Sequence, residues 1–187
     1  MHKLLKLAKV TIATAMLLLV VPMAYAEKIE SLSEGQDAFN RGDYTKALQL
    51  WQQLANDGQP EAQVFVGLAY ANGWGVKKNL EEASNWYMRA AESNNPSGQF
   101  LLGLHYVTTG VNLYDVRVGI KWLKRAADNG DKQAIQFLKK AKSRNWFTDL
   151  KGDTKIDRYK LEQEGKKALE NLSITANNMP SLPAPAL

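Results

Sequence analysis

Slid along itself by 36 residues, this chain matches itself without a gap. Ala62, Gly98 and Ala134 fall in register, as do Gly67 with Gly103 and Tyr70 with Tyr106. Ala47, Ala83 and Gly119 align, then Leu50, Trp86 and Trp122, then Trp51, Tyr87 and Leu123. Ala55, Ala91 and Ala127 follow, and Gly58, Asn94 and Gly130 close the unit. A period of this length is one supersecondary unit, too small to bury its apolar face alone, so copies must stack. The repeat therefore dictates a solenoid before any single element is considered.

Within each unit the pattern predicts two helices. Glu61 to Asn72 places Ala62, Val66, Gly67 and Tyr70 on one helix face. Gly67 and Gly103 stand mid-helix, where glycine costs about 1 kcal/mol against alanine, which points to close helix–helix approach. Gly73-Trp74-Gly75-Val76 breaks the helix. Asn79-Leu80-Glu81-Glu82 restarts it with the spacing of a capping box, Glu82 reaching back. Asp43 and Asp115 are expected at the matching N-caps of the neighbouring units. The second helix carries Ala83, Trp86, Tyr87, Ala90 and Ala91 on one face, so Trp86 and Trp122 are expected to be buried framework residues. Pro96 suits the first turn of the next helix, and Gly58 and Gly130 suit left-handed helix ends. The predicted fold class is all-α, a right-handed α-solenoid of antiparallel helix pairs.

Residues 61–95 read EAQVFVGLAYANGWGVKKNLEEASNWYMRAAESNN. They closely resemble the Sel-one-like repeat, a relative of the tetratricopeptide repeat. Its pattern A-x-x-x-L-G-x-x-Y, G-x-G-V, then A-x-x-W-Y-x-x-A-A is met by Ala62, Gly67, Tyr70, Gly73, Gly75, Val76, Ala83, Trp86, Tyr87, Ala90 and Ala91. Val66 replaces the usual Leu. Residues 96–130 match less well, because Thr109-Gly110-Val111-Asn112 shifts the turn. Residues 31–59 form a unit with a shortened loop at Asn40-Arg41-Gly42-Asp43, and residues 131–145 keep only a first helix. The predicted repeat domain is 27–145. Lys139, Lys140, Lys142 and Arg144 would give the stack a polar end. In the extension, 146–176, a capping helix is predicted over Thr154 to Leu172, with Thr154 and Asp157 at capping-box spacing. Ile156, Tyr159, Leu169 and Leu172 would form its apolar side. Its polar middle, Glu162 to Lys167 with Gly165, leaves docking on the solenoid open. Residues 177–187, with three prolines, are predicted to be a disordered tail.

The first 26 residues read as an address. Lys3, Lys6 and Lys9 precede an apolar run from Val10 to Val21, and Ala24-Tyr25-Ala26 supplies small residues at −3 and −1. The run is shorter than the ~20 residues of a spanning helix. It predicts a cleaved secretory signal peptide, a mature start at Glu27 and a periplasmic location. Losing those three lysines takes the formal charge from +5 to +2, so nucleic-acid binding is not expected. Nor is stable membrane insertion after cleavage. The chain has no cysteine and two histidines, one of them His2. That excludes disulfides, thiol nucleophiles and Cys-based zinc sites. The lone mature histidine, His105, aligns with Ala69 and Ala141 and has no motif around it for a nucleophile. No catalytic residue, cofactor or metal site is predicted. Glu81, Glu82, Asp128 and Asp131 lie at helix ends, where capping explains them.

Phe65, Leu101 and Phe137 stand 36 apart on the first helices. The resemblance implies that these helices line the concave side and that the position is usually polar. Phe65, Ala69 and Asn72 share a face, as do Leu101, His105 and Thr108. Together with Phe137 they are candidates for an apolar strip that contacts a partner; the competing reading packs them against neighbouring helices. Trp74, in the turn, is a second exposed candidate. The resemblance implies protein–protein interaction without catalysis. The first expectation is a monomeric periplasmic module with a protein partner: an adaptor, an assembly or regulatory factor of an envelope or secretion machine, or a toxin-neutralising immunity protein. The alternative is a cell-wall-associated enzyme or a peptidoglycan-binding scaffold.

Overall fold

The structure is a computed structural model that describes residues 32–146 and 156–174. The predicted signal peptide over 1–26, Thr154 and the predicted disordered tail over 177–187 lie outside the described residues. Helix α1 covers 32–40 within them. Then follow α2 Tyr44–Asn56, α3 Pro60–Asn72, α4 Leu80–Glu92, α5 Pro96–Thr109, α6 Leu113–Asp128, α7 Lys132–Ser143 and α8 Arg158–Ile174. The first helices of successive units, α3, α5 and α7, start at Pro60, Pro96 and Lys132, one repeat apart each time. From α2 to α7 neighbours in sequence are neighbours in space, as a stack of antiparallel pairs requires.

The turns that reverse the chain are specified locally. Asp43 Oδ1 accepts from the Lys46 N–H at 3.0 Å and caps α2. Asn79 accepts from the N–H groups of Glu81 at 3.0 Å and Glu82 at 3.2 Å. The reciprocal box expected at Glu82 forms one unit later instead. Asn112 caps α6, with Asp115 Oδ2 accepting from the Val111 and Asn112 N–H groups. Asp115 is thus the third residue of α6 and not its N-cap. The cause is the shifted turn: α3 and α4 are separated by Gly73–Asn79, but α5 and α6 only by Gly110–Asn112. The residues spared from the turn lengthen α5 and α6, so the period survives. Between units, Gly58, Asn94 and Gly130 all hold φ near +60° to +87°, the left-handed helix end that Gly and Asn tolerate.

Close packing follows the small residues. A Cβ on Gly67 would lie 2.5 Å from Tyr87 Cε1, and one on Gly103 would lie 2.7 Å from Leu123 Cγ and 3.0 Å from the Gly119 carbonyl oxygen. Helices α3 and α5 each press their glycine against their own partner helix. Gln63 and Gln99 are buried, and each donates from Nε2 to a carbonyl of the preceding helix, Ala55 at 3.3 Å and Ala91 at 3.2 Å. Trp51 is fully buried and Trp86 nearly so. Trp122 is only half-buried, a correction to its expected placement. Its ring carries the Arg125 guanidinium 5.4 Å from the centroid, as Trp86 carries Arg89 at 4.6 Å.

Helix α8 starts at Arg158, later than the Thr154 start expected, and Asp157 Oδ1 accepts from the Lys160 N–H at 3.2 Å. Of its expected apolar side, Ile156, Leu169 and Leu172 pack against the core and only Tyr159 departs. Leu161 and Gly165 are buried and Ala168, Leu169 and Leu172 half-buried, whereas Tyr159 is 71% exposed. These residues recur at i, i+4, i+7 and i+11, the stripe of a docked helix.

Candidate functional site

The first helices α3, α5 and α7 share one face, and α8 lies on it. Arg158 donates to the carbonyls of Gly110 at 2.6 Å and Val111 at 2.9 Å, just past the end of α5. Gly165 packs over Thr108, Val107 and Leu104 of α5. Leu172, near the other end of α8, shares a groove with Pro96 and Ser97 at the start of α5. Helix α8 therefore runs antiparallel to α5. On its flank Lys140 of α7 pairs with Glu164 at 2.5 Å. Past the covered stretch the groove stays open, a cavity of about 560 Å³ walled by Val64 and Leu68 of α3, Phe100 and Leu101 of α5, and Gln133 of α7.

The apolar strip expected on this face is not a continuous exposed surface, and of its apolar residues only Leu101 lines the open groove. Phe65 and Leu101 are each 3% exposed and Phe137 5%. Phe65 turns toward the preceding unit, its ring 5.0 Å from that of Trp51. Ala69 is fully buried. Leu101 lines the open groove, and Phe137 borders the space between α7 and α8. Asn72 donates from Nδ2 to the Leu68 carbonyl at 2.9 Å, and Thr108 donates to the Leu104 carbonyl at 2.8 Å while Gly165 covers its methyl. His105 is half-buried, edge-on to Tyr106 at 6.0 Å. Burial holds its imidazole below the usual histidine value. Trp74 is also corrected: it is half-buried, T-shaped to Phe39 at 4.7 Å and stacked on Tyr44 at 6.5 Å. It fastens the turn of the second unit onto the first.

Val64, Leu68 and Phe100 were not singled out by the sequence, yet they wall the groove. The available signal was their place one position before the strip: Val64 and Phe100 precede Phe65 and Leu101 and share the same spacing. Tyr87 holds its hydroxyl buried without a partner, and burial pushes its ionisation far above the usual phenol range. It lies against Gly67, inside the solenoid, and serves packing. Among the described residues no group of three or more His, Asp or Glu side chains is placed to hold a metal ion. No helix among them is long and apolar enough to cross a membrane. What the face offers a ligand is an apolar floor with a rim of mixed polarity at Asn129, Asp131, Lys132 and Gln133, suited to a helix or an extended apolar segment.

Comparison with known proteins agrees with this architecture. A family model described as the Sel1 repeat matches residues 30–59, 60–95 and 96–131. The chain is 29% identical over 117 residues to the human protein sel-1 homolog 2, covering 59% of this chain and 17% of that protein. It is 37% identical over 60 residues to the Escherichia coli Sel1-repeat-containing protein YjcO, covering 30% of this chain and 26% of that one. The matched stretches thus span about a quarter or less of these relatives. Among solved structures, a Sel1 repeat protein from Oxalobacter formigenes superposes with a TM-score of 0.56 at 23% identity, covering 75% of this chain and 53% of that one. That likeness is one of fold.

Proposed function

Because the chain belongs to the Sel1 repeat family, whose helical repeats mediate protein–protein interaction, we propose that it is a periplasmic interaction module without chemistry of its own. In this reading it binds one protein partner, as an adaptor or assembly factor of an envelope machine or as an immunity protein. The observation that carries the proposal is the groove on the face of α3, α5 and α7. Its floor is apolar, its volume is about 560 Å³, and it is fixed by close-packed helices. A preformed cleft with an apolar floor and polar groups at its rim is the usual form of a binding site. Support for export comes from Lys3 to Ala26, with its basic start, apolar run and small-residue end.

The test uses the full chain expressed with its own leader. Mass measurement of the protein in an osmotic-shock fraction should show a chain beginning at Glu27; a full-length chain held in the membrane fraction would overturn the export reading. A partner recovered from that fraction should bind the purified chain with fixed stoichiometry. Gln133 is exposed at the groove rim, so Gln133→Trp should leave stability within about 0.5 kcal/mol and weaken the partner at least ~10-fold. Retention of muropeptides with no protein would instead support a cell-wall ligand.

A further inference from the structure

The face that the repeats build is already partly occupied by the chain itself. Helix α8 lies outside the 36-residue period, so nothing in the repeat requires it there. It behaves as a helix laid into a groove, with one apolar stripe down and its polar sides in solvent. Its hold is thin. Among its described side chains Leu161 is the only large one that is fully buried; beside it the stripe offers Gly165 and the half-buried Ala168, Leu169 and Leu172. Glycine in mid-helix also weakens the helix by itself. Gly165 has a reason to be there: a Cβ would come 2.7 Å from Thr108 Cγ2. Polar contacts set direction and position, beginning with the Asp157 N–H, which donates to the Trp146 carbonyl at 2.7 Å. Arg158 meets the carbonyls at the C-terminal end of α5, where a helix is negative, and Glu164 meets Lys140.

We infer that α8 is a displaceable occupant of the partner-binding face, and that the partner presents an amphipathic helix of the same pattern in its place. The inference rests on the reading of the chain as an interaction module. The pattern is specific. A large apolar anchor takes the site of Leu161, and a small residue four positions on crosses Thr108. Apolar residues follow at the sites of Ala168 and Leu172. An acid three residues after the anchor faces Lys140, and a base three residues before it faces the Gly110 and Val111 carbonyls. A partner whose stripe also fills the open groove beside Val64 and Leu68 gains contacts that α8 leaves unmade.

The probe is a fluorescent synthetic peptide of residues 156–174, titrated against the purified full chain. The tethered α8 competes at the high effective concentration of a linked segment, so the parent should bind the peptide weakly. Gly165→Leu, which pries α8 from Thr108, and Leu161→Ser, which removes its anchor, should each bind the unaltered peptide at least 30-fold more tightly. A peptide carrying Glu164→Lys should lose at least fivefold on the Gly165→Leu chain and regain it when Lys140→Glu is added. Equal affinity for parent and variants, or no binding to folded variants, would overturn the inference. Unfolding of both variants would overturn it as well, since α8 would then be an integral cap of the stack. No cellular partner enters this experiment, so its failure leaves the proposed function standing, and failure of the periplasmic test leaves the α8 result readable.

Discussion

Gly67 lies directly against the ring of Tyr87, so close that a single added Cβ would sit 2.5 Å from Cε1 and 3.2 Å from the Ala83 carbonyl oxygen. The same contact recurs one unit later between Gly103 and Leu123. These contacts set the distance within each helix pair. Gly67→Ala should therefore lower stability by ~1–3 kcal/mol, the usual cost of overpacking, although alanine is the better helix former. Gly58→Ala is the control. It has open space around it and only its φ of +85° to oppose the change, which costs roughly 1–2 kcal/mol. Urea unfolding of both variants decides the matter; a neutral or stabilising Gly67→Ala would show that the pair can separate freely.

Trp51 and Trp122 separate burial from position in the repeat. Trp51 is fully buried between Phe39 and Phe65, at ring distances of 5.7 Å and 5.0 Å. Trp51→Ala should cost ~3–5 kcal/mol. Trp122 is half-buried under Arg125, and Trp122→Ala should cost clearly less, by about 2 kcal/mol or more. Solenoid units lean on their neighbours, so the Trp51 variant should also loosen α3. Hydrogen exchange in α3 reads that spread, and protection equal to the parent's would contradict it.

Much of this fold was legible because a 36-residue period fixes helix order, and capping residues fix most ends. Asp43 and Asn79 cap where their residue types predict, and Pro96 opens α5 as expected, with Asn95 capping it. Asp115 misled because Asn112, three residues earlier, offers an equally good cap, and only the length of the turn decides between them. The binding face was harder for a physical reason. Helix α3 is buried at every position from Ala62 to Ala69, packed by α2, α4 and α5. A helix apolar all round carries no amphipathic signal, so periodicity cannot say whether Val64 or Phe65 looks into the groove. Helix α8 was harder still. Gly165 in a polar stretch reads as a weak point until Thr108 is seen beneath it.

Phe65 and Phe137 turn that ambiguity into a measurement. Both are buried, so Phe65→Ala and Phe137→Ala should each lower stability by ~3–5 kcal/mol. Thermal melting checks this directly. An unchanged melting temperature in both would return these rings to an open strip and make them contact residues.

His105 gives the chain a pH response whose sign follows from its surroundings. It sits half-buried on α5, and burial alone holds its imidazole below the ordinary value of about 6.5. The unfolded chain then takes up a proton more readily than the folded one. Linkage makes stability complete above the unfolded value and lost progressively as pH falls through it toward the lowered folded value. The urea midpoint of the parent should thus be lower at pH 5.5 than at pH 7.5. His105→Gln cannot be protonated and should flatten most of that difference. Asp131 has the opposite sign, since burial raises its carboxyl, and it is present in both proteins, so the comparison between them removes its contribution. A parent that is equally stable at both pH values, or more stable at 5.5, would mean that His105 is solvated or has gained an acidic neighbour. A slope that survives His105→Gln would place the titrating group elsewhere in the solenoid.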